Sequence, residues 1–141
     1  MLVQRINTHG TTSVLIDSGP DMRQQLLRIG IKTLDAVLYT HYHADHVNGI
    51  DDLRMVAINI RKRLPVWADE CTSDKLKSSF SYIFETPQGS NYPPILELNT
   101  IKGKIDINGA GGTISFLPLQ VNHGELNALG FKINSLAYIP D

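Results

Sequence analysis

Short apolar runs closed by glycine, proline and polar turns alternate along the chain with stretches whose apolar residues recur every three or four positions. Thr12-Ser13-Val14-Leu15-Ile16-Asp17 is β-rich and stops at Ser18-Gly19-Pro20, so it predicts a strand ended by a turn. Asp21 then stands where a helix cap is expected, with Met22, Leu26 and Ile29 on one face and Gly30 at a left-handed C-terminal cap. Ala36-Val37-Leu38-Tyr39-Thr40 predicts a short buried strand. A second helix is expected from about residue 47 to 60, with Ile50, Leu53, Ala57 and Ile60 as its inner stripe. Residues 64–68 predict another strand and 72–79 a short helix. Residues 85–94, with Pro87, Gly89, Pro93 and Pro94, predict a loop. The remainder reads as mostly strand, over 95–98, 105–107, 113–117, 130–133 and 136–139, with a glycine-rich hairpin turn at 108–112. Such alternation predicts an α/β fold, layered as α+β, in a single domain over 1–141 with no internal boundary.

Composition narrows the function classes. Hydrophobic residues make up 42% of the 141 and charged residues 19%, an ordinary globular balance that excludes a disordered tail. Lys plus Arg number 13 against 14 for Asp plus Glu, so the net charge is −1. No large positive field is available to release counterions from a phosphate backbone, so nucleic acid is not the expected partner. The single cysteine, Cys71, excludes an intramolecular disulfide framework and a Cys-rich zinc module, and suits a reducing compartment. No stretch approaches the roughly 18–20 apolar residues of a membrane helix, and Arg5, Asn7 and His9 interrupt any apolar leader. The expected location is cytoplasmic, with no membrane partner.

Three of the five histidines fall within six positions. Thr40-His41-Tyr42-His43-Ala44-Asp45-His46 has the pattern H-x-H-x-D-H directly behind the strand 36–40. Residues two apart on an extended chain project to one side, so His41 and His43 can present their rings to one ion. Asp45 and His46 diverge on an extended chain, but a sharp turn into a helix aims both at a second ion. Imidazole and carboxylate suit zinc, manganese or iron. Downstream, Asn122-His123-Gly124 follows a β-run, and His123 as a third imidazole would complete a three-ligand catalytic site with an open position. The competing reading of His123 is a plain turn histidine. Asp141, behind the run 136–139, can bridge two ions; its competitor is a frayed chain end.

The constellation His41, His43, Asp45, His46, His123 and Asp141 resembles the metallo-β-lactamase superfamily of binuclear hydrolases, strongly over 12–54 and 113–141. The run from Val14 to Leu27 and the extension from His46 to Arg54 look like its phosphodiesterase branch. That branch includes the phosphonate-operon enzyme that opens phosphoribosyl 1,2-cyclic phosphate and, more distantly, the tRNA 3′-processing endonuclease. The resemblance implies part of an αββα sandwich and two divalent ions, zinc or manganese with iron as a further option. It places one ion on His41, His43 and His123 and the other on Asp45 and His46, with Asp141 bridging. Asp45 and Asp141 become the catalytic carboxylates, and Asp17 supports the histidine loop from behind. The family pattern begins upstream of Thr12 and continues past Asp141 to a further histidine, so the expected domain is an incomplete one, which a homodimer or a second polypeptide could complete.

The implied activity is hydrolysis of a cyclic phosphate or nucleotide-like phosphodiester, by metal hydroxide attacking phosphorus in line. Two carboxylates and a hydroxide leave a two-ion centre with residual positive charge, which suits an anionic diester substrate. The alternatives are a thioester or lactam hydrolase of the same superfamily, a tRNA 3′-processing-like nuclease, and a silent remnant that binds a metal or nucleotide without turnover. Arg61-Lys62-Arg63 reads as a solvated helix end, Tyr82, Phe84 and Tyr92 as packing at the rim of the loop, Cys71 as structural and His9 as a surface residue.

Overall fold

A computed structural model describes residues 1–140; Asp141 lies outside the described residues. The chain opens with a hairpin of β1 (Leu2–Asn7) and β2 (Gly10–Ile16), followed by α1 (Met22–Arg28) and β3 (Ala36–Leu38). After the histidine loop come α2 (Ala44–Val47), a single 3-10 turn (Ile50–Asp52), α3 (Leu53–Ile60), β4 (Leu64–Ala68), α4 (Glu70–Ser79), α5 (Ser81–Phe84) and β5 (Leu96–Thr100). Four antiparallel strands finish the fold: β6 (Ile105–Gly109), β7 (Gly112–His123), β8 (Leu126–Ile133) and β9 (Leu136–Tyr138).

The first sheet has the order β1-β2-β3-β4-β5, with β2 to β5 parallel and β1 antiparallel at the edge. The second has the order β6-β7-β8-β9. Strand alternation sorts the first sheet's side chains between two cores. Leu15, Val37, Tyr39, Val66 and Ala68 face the helices, packing with Met22, Leu26, Leu53, Val56 and Leu76. Val14, Ile16, Ala36 and Leu38 face the second sheet and meet Ile105, Ile107, Ile114, Phe116, Phe131 and Ile133. The described residues therefore form three layers, helices on a parallel sheet on an antiparallel sheet, which is the α/β layering expected and the αββ part of the sandwich. No helix among them is long and apolar enough to cross a membrane.

Several elements differ from the sequence reading, each for a local reason. The helix expected over 47–60 is broken into α2, the 3-10 turn and α3. A Cβ on Gly49 would strike the carbonyl oxygen of Gly19 and lie 2.9 Å from that of Ser18, so the chain turns there against the loop after β2. Asp21 takes the cap position of α1, but its side chain makes no capping bond. Ile29 is exposed and Ile60 only partly buried, so the apolar stripes are narrower than the periodicity suggests. Gly30 does adopt the left-handed conformation, at φ 72°. Strand β1 has no clear sequence signal, because its Gln4, Arg5 and Asn7 hide a two-residue period at a sheet edge. Strands β7 and β8 run longer than 113–117 and 130–133, because their far halves, 118–123 and 126–129, mix apolar and polar residues and are held by pairing with each other.

Candidate metal centre

The parallel strands direct their C-terminal ends toward one rim of the sandwich, and the histidines gather there. Leu38 ends β3, Tyr39 and Thr40 stay fully buried, and His41 follows with no exposed surface. His43 holds extended backbone (φ −63°, ψ 151°) as the residue before α2, and that turn swings Asp45 and His46 back toward the strand end. His123 arrives from the other sheet, as the last residue of β7, where it pairs with Leu126 across the hairpin. A backbone bond from Leu129 N–H to the Thr40 carbonyl, 2.8 Å, ties β8 to the histidine loop and fixes that approach.

Three ring nitrogens converge. His41 Nε2 lies 3.1 Å from His43 Nδ1, and His123 Nε2 lies 3.3 Å from the same atom. All three ligand atoms fall within 4.8 Å of one another. A neutral imidazole carries one N–H, so His43 Nδ1 can donate to only one of its two neighbours. Whether Nδ1 bears a hydrogen or a lone pair, it pairs fully with only one of the two, and a cation shared by all three nitrogens would satisfy both contacts. Two nitrogens on a tetrahedral ion at zinc–nitrogen distances are about 3.3 Å apart, so the donor set fits a divalent metal. Burial pushes the His41 imidazole below its ordinary pKa, and the adjacent His46 and His43 push the same way against the pull of Asp17. These shifts favour the neutral form of His41, which is the form a ligand requires.

His46 and Asp45 sit beside this triad. The His41 and His46 ring centroids are 4.1 Å apart, and His46 Nε2 is 3.4 Å from Asp45 Oδ2. The Asp45 side chain is 72% exposed, open to a ligand or solvent. Behind both lies Asp17, buried and in the left-handed region at φ 60°, a strained setting for a residue other than glycine. Its Oδ1 accepts from Thr40 N–H at 2.8 Å; its Oδ2 accepts from the Thr40 hydroxyl and from His46 Nδ1, both at 2.8 Å. Asp17 thus stands behind the histidine loop. The five described candidates, His41, His43, Asp45, His46 and His123, share one rim with Asp17; Asp141 is outside the described residues.

Residues 12–141 match the model of the beta-lactamase superfamily domain. The chain belongs to the beta-lactamase superfamily. Within it, a solved structure described as a new diphosphatase from the PhnP family superposes with a TM-score of 0.74 at 37% identity, over 92% of this chain and 50% of that one. A ribonuclease Z of Bradyrhizobium diazoefficiens is 29% identical over 126 residues, 88% of this chain and 41% of its own. An octanoyltransferase of Porphyromonas gingivalis is 39% identical over 138 residues, which is 96% of this chain but 27% of that protein. The chain thus spans half or less of the length of each of these relatives. The phosphodiesterase-branch resemblance agrees with the first two.

Two groups of site residues escaped the sequence reading. By sequence Thr40 only ends a strand, although a buried hydroxyl just ahead of a candidate ligand histidine must find a partner. By sequence Gly19 belongs to a turn and Gly49 to the helix expected over 47–60, and neither signals a contact between the two loops. In fact a Cβ on Gly19 would strike the Asp45 carbonyl oxygen, so the two loops touch through their backbones. Ser18 N–H bonds the His46 carbonyl at 2.8 Å, and Gly49 N–H bonds the Ser18 carbonyl at 2.7 Å. Among the other residues, Tyr82 donates to Asp51 at 2.5 Å and Phe84 joins the helix-side core. Tyr92 is exposed with Arg54 over its ring, Cys71 is exposed in the first turn of α4, and His9 lies in the exposed β1–β2 turn.

Proposed function

We propose that this chain carries the site of a divalent-metal-dependent hydrolase that cleaves phosphodiesters, with a small cyclic phosphate or nucleotide-like diester as substrate. One observation carries the reading: ring nitrogens of His41, His43 and His123, from two different sheets, meet within 4.8 Å. The relatives support the substrate class, since the diphosphatase and the ribonuclease Z are both named for chemistry at phosphorus.

His41, His43 and His123 would hold one ion, zinc or manganese with iron as a further option. His46 and Asp45 would serve a second, with Asp141 as the bridging carboxylate. When bound, the metal supplies a Lewis acid that acidifies a water molecule and draws charge from phosphoryl oxygens. The protein's own contribution is positional. The triad fixes three donors before any ion arrives, Asp17 orients His46, and the exposed Asp45 carboxylate is available to accept a proton or to ligate. Completion of the site by a homodimer or a second polypeptide belongs to the same reading.

The test is hydrolysis of bis(p-nitrophenyl) phosphate by protein loaded with zinc or manganese. Turnover that disappears in His41→Ala is expected. Absence of turnover in the loaded protein, with one ion or none retained, would leave the silent metal-binding remnant. A glutathione thioester and a chromogenic lactam run in parallel separate the acyl-hydrolase reading, and preferential cleavage of either overturns the phosphodiester assignment.

A further inference from the structure

The proton arrangement behind the triad follows from one oxygen. Thr40 Oγ lies 2.8 Å from Asp17 Oδ2, 3.0 Å from His41 Nδ1 and 3.4 Å from His46 Nδ1. A threonine hydroxyl has one hydrogen to give. Asp17 is a carboxylate without a hydrogen of its own, so the short contact between the two oxygens needs the threonine proton. That proton is therefore committed to Asp17. The lone pairs of Thr40 Oγ then face His41 Nδ1, which can meet them only as an N–H. A neutral His41 protonated at Nδ1 carries its lone pair at Nε2, the atom aimed at His43 and His123.

Asp17 Oδ2 extends the same order to the neighbouring ring. It accepts from His46 Nδ1 at 2.8 Å, which leaves the His46 lone pair at Nε2, on the side of Asp45 Oδ2. A hydroxyl and a carboxylate so set the tautomers of two histidines, one within the triad and one beside it. Both groups are buried, Thr40 with no exposed surface and Asp17 at 9%, so water competes little for these bonds.

We propose that Thr40 is a positioning residue that fixes His41 as the Nδ1–H tautomer and thereby presents Nε2 as a metal ligand before any metal binds. The choice of tautomer matters because an imidazole with the proton on Nε2 must move it before it can ligate. The significance of a ligand at Nε2 rests on the metal-site reading above, but the tautomer itself does not.

The experiment separates the two. Long-range proton–nitrogen NMR of metal-free protein, with imidazole nitrogens labelled, reads the tautomer of each histidine directly. In the unsubstituted chain above pH 7.5, His41 and His46 should both show Nδ1–H; His41 found as Nε2–H overturns the proposal with no variant needed. Thr40→Ser keeps the hydroxyl and should keep the Nδ1–H signature, whereas Thr40→Val, equal in shape, should give a mixture with Nε2–H at His41. Zinc affinity measured by competition with a chelator should fall roughly 10–100-fold in Thr40→Val and stay within about threefold in Thr40→Ser. Amide spectra of each variant report folding, and if Thr40→Val does not fold, the Thr40→Ser and unsubstituted tautomers still decide. An unchanged tautomer and affinity in folded Thr40→Val overturns the proposal. Failure to cleave any phosphodiester would touch the proposed function and leave this result standing.

Discussion

His41 ties the chemistry of the site to the stability of the fold. Burial lowers its pKa, with the nearby His46 and His43 adding to the effect. A group whose folded pKa lies below its unfolded value of about 6.5 favours the folded state while both states are neutral, and it loses that contribution as the pH falls and the unfolded chain takes up the proton. Metal-free protein should therefore show a flat melting temperature above about pH 7 and a decline below about pH 6.5, in the window set by the unfolded His pKa. His41→Gln should flatten that decline, which thermal denaturation across pH 5–8 checks. A chelator should lower the melting temperature of zinc-loaded protein, and the shift should vanish in His41→Gln if His41 contributes to the bound state.

At the scale of elements, the rim depends on two loops held backbone to backbone. The loop after β2 and the turn after α2 exchange the bonds Ser18 N–H to His46 carbonyl and Gly49 N–H to Ser18 carbonyl, and no side chain fits between them. Gly49→Ala would press a methyl onto the Gly19 and Ser18 oxygens. Overpacking of this kind costs about 1–3 kcal/mol. Urea denaturation should register that loss, and zinc affinity should fall with it, because α2, which carries Asp45 and His46, runs directly into the displaced turn. Gly103→Ala, where an added Cβ meets nothing within 4 Å, should leave zinc affinity unchanged. Tyr39 strengthens the same junction from within the helix-side core. Its hydroxyl is paired with Ser18 Oγ at 2.8 Å, and burial raises its pKa far above the ordinary phenol range.

For the molecule as a whole, the triad is a property of sheet packing. His41 and His43 leave the parallel sheet, and His123 ends a strand of the antiparallel one, so the core between the sheets sets their separation. Phe116 and Phe131 meet edge to face there at 6.2 Å, both fully buried, and Phe116 lies on the strand that ends in His123. Phe116→Ala should cost about 3–5 kcal/mol of stability. At temperatures where the variant stays folded, its zinc affinity should also fall, though the substitution lies several residues from any ligand. Leu76→Ala, in the helix-side core, should destabilise comparably while affecting affinity less, a contrast that isothermal titration resolves.

The local sequence determined the strands β2, β3 and β4, the start of α1, the left-handed Gly30 and, in His41, His43, Asp45 and His46, the greater part of the candidate site. These features are legible because strand alternation, turn residues and closely spaced ligands are short-range properties. The β-run before His123 offers it as a third imidazole beside a plain turn histidine, since nothing within residues 113–124 says which strand end it will face. The break in the helix expected over 47–60 was illegible for the same reason: Gly49 is constrained by carbonyls thirty residues earlier. Thr40 looked like one more β-former until its hydroxyl was seen between Asp17 and His41. Tertiary structure decided which nitrogens converge, which protons they carry and which backbones touch, because each depends on contacts between residues distant in the chain.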